Sequence, residues 1–165
     1  MINLEQQLAH LPKPSIVMGV GIPGSGKSTA LEEIADHLGM ELICPDAIRK
    51  ELTGDASDQS KNPEAWAEAY MMAEASLKLG HSAIIDATHT EAWRRPDQVA
   101  KYRAYGATAV VAAVFDTPLE ICKQRNEKRD RVVPGPVLDR MYKALQSKPV
   151  IKDEGFDAIF VVRPE

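Results

Sequence analysis

The chain has 165 residues, 44% hydrophobic and 27% charged, with a formal net charge of −4. That length suits a single domain, residues 1–165, whose core needs neither disulfides nor a structural metal, and the acidic balance argues against a protein coated in basic surface for nucleic acid. Cys44 and Cys122 form no C-x-x-C pair, and no leader pattern or membrane-length apolar run is present, so a cytoplasmic, reducing compartment with no membrane contact is the expectation.

Residues 1–14 read as an N-terminal extension. The apolar run Ser15–Val20 then reads as a first strand. It leads into Gly21-Ile22-Pro23-Gly24-Ser25-Gly26-Lys27-Ser28-Thr29, which fits G-x-x-x-x-G-K-S/T, and a helix follows over 28–38. Strand, glycine-rich loop and helix in that order form a phosphate-binding device. The backbone N–H groups wrap an anion, Lys27 reaches the β/γ-phosphates, the Ser28 hydroxyl holds Mg²⁺, and the positive end of the helix faces the same phosphates.

A second strand over 41–44 precedes a helix over 46–53, with Asp46 and Arg49 on one face at i,i+3 spacing. Asp46 has two readings from the residues alone: a carboxylate that accepts a hydroxyl proton, or an ordinary helix N-cap. The polar, turn-rich stretch 53–61 is expected to be mobile. Asn62 as N-cap and Pro63 as first residue predict a helix over 63–79, whose stripe of Trp66, Tyr70, Ala73 and Leu77 points to the core.

A third strand over 82–86 ends in Asp86, the position of the second acidic site in phosphate-loop proteins. Thr88 and His89 follow in a polar loop at the ligand-facing edge of the sheet and join Asp86 as candidate substrate-binding residues, with two readings open for His89: it helps position a substrate, or it sits in a turn. Asp116, ending the strand at 108–115, competes for that acidic role. After a helix over 92–105 and this strand, Thr117-Pro118-Leu119-Glu120 fits a capping box that starts a helix over 118–130. Arg125 and Arg129 are i,i+4 on it, placed to close over a nucleotide and stabilise transition-state charge. Arg131 to Pro134 break that helix, so residues 123–134 read as a lid with a hinge. A helix over 135–147 and a strand over 157–162 complete the chain.

Strands alternating with helices argue for a parallel sheet covered on both faces. Charge is divided unevenly along it. Residues 1–90 hold 6 Lys/Arg against 13 Asp/Glu, a balance of −7, and residues 91–165 hold 14 against 11, a balance of +3. The densest basic cluster, Lys123, Arg125, Lys128, Arg129 and Arg131, reads either as a solvated helix face or as the positive charge that a phosphate-transfer site requires.

These motifs together make the chain resemble the phosphate-loop polynucleotide 5′-kinases, in particular the kinase domain of phage-type polynucleotide kinase. The resemblance runs from Val17 to Val162. It rests on Gly21–Ser28, Asp46-x-x-Arg49, Asp86-Ala87-Thr88, Val114-Phe115-Asp116-Thr117-Pro118, and Arg125-Asn126-Glu127-Lys128-Arg129 followed by Val133-Pro134 and Leu138-Asp139-Arg140-Met141-Tyr142. It implies a five-stranded parallel sheet of order 2-3-1-4-5 and ATP with Mg²⁺ at Lys27 and Ser28. It also implies Asp46 as general base, Arg49 on the acceptor, and Arg125 and Arg129 as lid arginines. His89 stands where such kinases commonly have Asn. No phosphatase domain of the kind some of them carry is present, so 3′-end healing is not expected of these residues.

The expected function is therefore ATP-dependent transfer to a hydroxyl of a nucleic acid, foremost the 5′-OH end of DNA or RNA, touching only a few nucleotides. A hydroxymethylated base in DNA, a nucleoside or another small alcohol is the alternative acceptor. A nucleotide-dependent switch is the reading of another class. Asn126-x-Lys128-x-Asp130 gives it little support, because a guanine-specificity motif has Lys directly after Asn. A motor ATPase would need more than one compact domain.

Overall fold

The structure, a computed structural model, describes residues 3–164. Met1 and Ile2, at the start of the expected extension, lie outside the described residues. The remainder of that extension holds a short helix, α1 (Leu4–Ala9), which a capping box between Asn3 and Gln6 starts and which buries Leu8.

The sheet comprises β1 (Ser15–Val20), β2 (Glu41–Ile43), β3 (Ala83–Asp86), β4 (Ala109–Phe115) and β5 (Ala158–Val162). All pairings are parallel and the order is β2-β3-β1-β4-β5, as the resemblance implies. Buried on both faces, β1 and β4 are near-continuous apolar runs rather than alternating ones. Side-chain alternation nevertheless sorts β1 between two cores. Ile16, Met18 and Val20 face α4 (Asn62–Lys78) and α5 (Arg95–Ala104), where Ala65, Ala69, Ala73, Val99 and Tyr102 are buried. Val17 faces α1 and α2 (Lys27–Leu38), against Leu8, Leu31 and Ile34. A third, smaller cluster of Ile22, Cys122, Val133 and Leu138 packs α6 (Leu119–Glu127) and α7 (Gly135–Ser147) beside the first loop.

Several expected boundaries move, each for a local reason. Asn62 is itself helical, with φ −60° and ψ −43°, after a 3₁₀ turn at Gln59–Lys61; instead of capping α4 its side chain accepts from Arg49 Nη1 at 2.7 Å. Thr117 is not a cap either. Pro118 takes the N-cap position of α6, and the Thr117 hydroxyl donates to the Ser25 carbonyl at 2.8 Å. The expected helix over 118–130 ends at Glu127. The stretch 53–61 carries local order, with Asp55 and Asp58 accepting from the backbone N–H two residues on.

Candidate active site

The register places Asp86 opposite Gly19 at the carboxyl edge of the sheet, where open α/β sheets hold their ligands. Beyond β1 the chain turns through Gly24 and Gly26, at φ +86° and +88°, into α2. At Gly24 a side chain is excluded twice, by this φ and by the Cys122 backbone of α6, which a Cβ there would strike. α6 therefore sits directly on the loop. Gly26 caps α2 without a side-chain hydrogen bond, which leaves the positive end of a 12-residue helix open to an anion.

Lys27 begins that helix, and its Nζ donates to Asp86 Oδ1 at 2.5 Å, both groups buried. Gly21 N–H donates to the Thr88 carbonyl at 3.1 Å and ties the loop to the segment after β3. Ser28 and Thr29 are exposed on the first turn of α2. Asp116 stands elsewhere, bound to Arg163 at 3.2 Å.

Across the cavity lies α3 (Pro45–Thr53). Cys44 is its N-cap and Pro45 its first residue, so Asp46 falls inside the helix and makes no cap bond; the N-cap reading of Asp46 is overturned. Its carboxylate lies between two guanidiniums, Arg49 Nη2 on Oδ1 and Arg131 Nη1 on Oδ2 at 3.1 Å. Arg49 is nearly buried and also donates through Nε to the Ala56 carbonyl at 3.1 Å. Burial, and then Arg131, lower its pKa. The guanidinium expected to grip an acceptor is thus engaged with α3, α4 and the loop between them.

Arg125 and Arg129 reach the cavity by different routes. Arg125, in the last turn of α6, lies on the phosphate loop with Nη1 3.4 Å from the Gly24 carbonyl. Arg129 lies beyond the C-cap Lys128, so the two do not share a helix face. The loop carrying Arg129 and Arg131 is closed by the buried Asn126, whose amide donates to the Val133 carbonyl at 2.7 Å and accepts from its N–H at 3.0 Å. Asn126 is a clasp for that loop. Lys123 pairs with Asp139 of α7 at 2.8 Å, away from the cavity.

The cavity itself measures about 860 Å³, within the range of small-molecule sites. Of the residues selected from sequence, Pro23, Gly24, Ser25, Gly26, Lys27, Ser28 and Thr29 line its phosphate-loop side. Asp46, Arg49, Asp86, Thr88, His89, Arg125 and Arg129 line the rest, and Gly21 alone stands back from it. Trp66, expected in the core, also lines it, as do Arg94, Gln98 and Arg131. Arg131 belongs to the basic cluster visible in sequence; Arg94 and Gln98 lie where no motif marks them.

Sheet order, loop and cavity define a phosphate-loop protein of the kinase type. The chain belongs to the AAA_33 family, described as an AAA domain, whose profile matches residues 16–147. No curated protein sequence matches it significantly. Among solved structures it is similar to a chain of the Pnkp1/Rnl/Hen1 RNA repair complex, with 27% identity and a TM-score of 0.75 over 89% of this chain and 47% of that one. It therefore spans about half the length of that protein. A protein from Chloroflexus aurantiacus matches at 16% identity and a TM-score of 0.72, over 92% and 89% of the two chains. A sugar kinase from Janibacter sp. matches at 23% and 0.61, over 91% and 85%. The last two likenesses show the shared fold. No helix among the described residues is long and apolar enough to cross a membrane.

Proposed function

We propose that the protein transfers the γ-phosphate of ATP to an alcohol, and that this alcohol is the 5′-hydroxyl end of a nucleic acid. One observation carries the reading: a single cavity sets the phosphate loop and Lys27 opposite a half-exposed carboxylate, Asp46, with Arg125 and Arg129 on its lid side. The alcohol oxygen attacks the γ-phosphorus, its proton passes to Asp46, and the bond to the β,γ-bridging oxygen breaks as ADP leaves. Lys27, Arg125 and Arg129 offset the charge on the transferred group. Ser28 and Asp86 offer the hard oxygen donors that suit Mg²⁺, which when bound neutralises phosphate charge. Other nucleoside triphosphates fit the loop equally well, since its contacts are to phosphate.

A nucleic-acid end is favoured by the likeness to the RNA-repair-complex chain, by Asp46-x-x-Arg49, and by the cations gathered at the lid. The second reading, a small alcohol, is favoured by the internal engagement of Arg49, which leaves fewer cations for a phosphate chain. Incubation with labelled ATP and 5′-OH oligonucleotides, hydroxymethylated DNA, nucleosides and polyols tests both. Oligonucleotides should accept label fastest. Label on nucleosides or polyols alone would transfer the assignment to the second reading, and label on no alcohol would reject phosphotransfer.

A further inference from the structure

Beside Asp86 the cavity has a wall that phosphate chemistry does not use. His89 is the only non-glycine residue with positive φ, +48°, among the described residues, a conformation that persists only where the surroundings fix it. They do so here from two sides. Its Nδ1 stands 2.5 Å from the Gly19 carbonyl of β1, and its own carbonyl accepts from Arg95 Nη1 at 2.8 Å. Arg95 is fully buried and is held in turn by Glu154 at 3.0 Å and the Lys148 carbonyl at 2.9 Å.

A carbonyl oxygen only accepts, so Nδ1 carries the ring proton and Nε2 is left as an acceptor. Burial pushes the pKa of His89 down to about 4, which keeps the ring neutral near pH 7. Nε2 has no partner, and neither does Oε1 of Gln98, the fourth residue of α5. Both residues line the cavity and are 7% and 4% exposed. The Trp66 ring stands edge-on to His89 with centroids 6.0 Å apart, and Arg94 lies 5.2 Å over the Trp66 ring. Two buried acceptors without a donor are costly unless a ligand supplies one. A phosphate or carboxylate cannot, because its oxygens only accept.

We propose that His89 Nε2 and Gln98 Oε1 form a specificity subsite for an uncharged, donor-bearing part of the acceptor substrate, a hydroxyl or an amino N–H, bounded by the Trp66 ring. This rests on the phosphotransfer reading of the same cavity and specifies what kind of acceptor it selects. Sugar hydroxyls and nucleobase amines share this chemistry.

The test measures binding and turnover separately. Oligonucleotides with 5′-terminal adenine or unsubstituted purine differ by one amino group, and sorbitol and its monodeoxy derivatives differ by one hydroxyl. Each is titrated, with a non-hydrolysable ATP analogue present, into protein carrying Trp93→Phe, so that Trp66 is the fluorescent reporter; kcat/KM is measured in parallel. The intact subsite should prefer the donor-bearing member of one set by about tenfold or more, and Gln98→Leu and His89→Asn should each reduce that preference to within about twofold with KM for ATP unchanged. Asn tolerates a left-handed backbone, so His89→Asn removes Nε2 with little added strain. Equal binding of both members in every set would overturn the proposal. Full preference retained in both variants would also overturn it, with internal water then satisfying the two acceptors. A preference seen in binding without labelled product from any alcohol would support the subsite and remove the phosphotransfer reading.

Discussion

The two sides of the cavity are built differently. The phosphate-loop side is contiguous in sequence, residues 21–29, and its shape is a property of backbone: two left-handed glycines and an open helix end. The opposite side is assembled from side chains far apart in the chain. Asp46 meets Arg131 across 85 positions, and Arg95, which holds the His89 carbonyl, meets Glu154 across 59. A site made of backbone tolerates change outside its glycines and its lysine, whereas one made of paired side chains fails when a partner is lost.

The sharpest way to break that contrast is Lys27→Ala, which should lower turnover by about 10⁴-fold, within the range that phosphate-directed cations contribute. It also strands Asp86 in the interior, at a cost on the order of 3 kcal/mol in stability. Adding Asp86→Asn should restore the denaturation midpoint without restoring turnover. Recovery of activity in the double variant would show Lys27 to be only the partner of Asp86.

Asp46→Asn comes next, with an expected loss of about 10³-fold in kcat. KM for ATP should hardly change, because Asp46 faces the lid rather than the loop. Near-normal turnover where chemistry limits the rate would mean that Asp46 only joins α3 to the lid through Arg131. For the lid, Arg125→Ala and Arg129→Ala should each cost about 10²-fold. Lys123→Ala, which breaks only the pair with Asp139, should stay within about twofold. Similar small effects at all three positions would reduce the cluster to a solvated basic face.

A smaller effect separates the wall from the loop by pH. The folded chain holds His89 at a pKa of about 4 against an ordinary 6.5, so the unfolded chain takes up a proton first as pH falls. The stability contributed by the neutral ring is full above about pH 6.5 and is lost between there and pH 4, about 3 kcal/mol in all. Denaturant titrations of wild type and His89→Asn at several pH values should converge by about that amount on acidification. Parallel curves would show that His89 titrates normally in the folded protein.

The same division explains what was legible in sequence. The loop was, because strand, glycines, Lys27 and helix are neighbours whose chemistry needs nothing else. Asp86 was visible as an acid ending an apolar strand, while its contact with Lys27 depends on the β1·β3 register. Arg95 carried no signal: a buried arginine in a helix without a motif looks like any surface residue until its partners, 53 and 59 positions away, are known. Thr117 and Asn62 had the right residue type for caps, but tertiary partners at Ser25 and Arg49 claimed their side chains. Local propensity was outbid where a long-range hydrogen bond was available.

The buried pairing of Lys27 with Asp86 bears on how the site responds to ionic strength. An incoming triphosphate meets Lys27 already neutralised by the buried Asp86, and little of that exchange is open to screening by salt. Arg125 and Arg129, exposed on the lid, are the contacts a salt titration will register. ATP affinity should therefore weaken only gently with added KCl, and the double variant Arg125→Ala/Arg129→Ala should bind ATP more weakly but almost independently of salt.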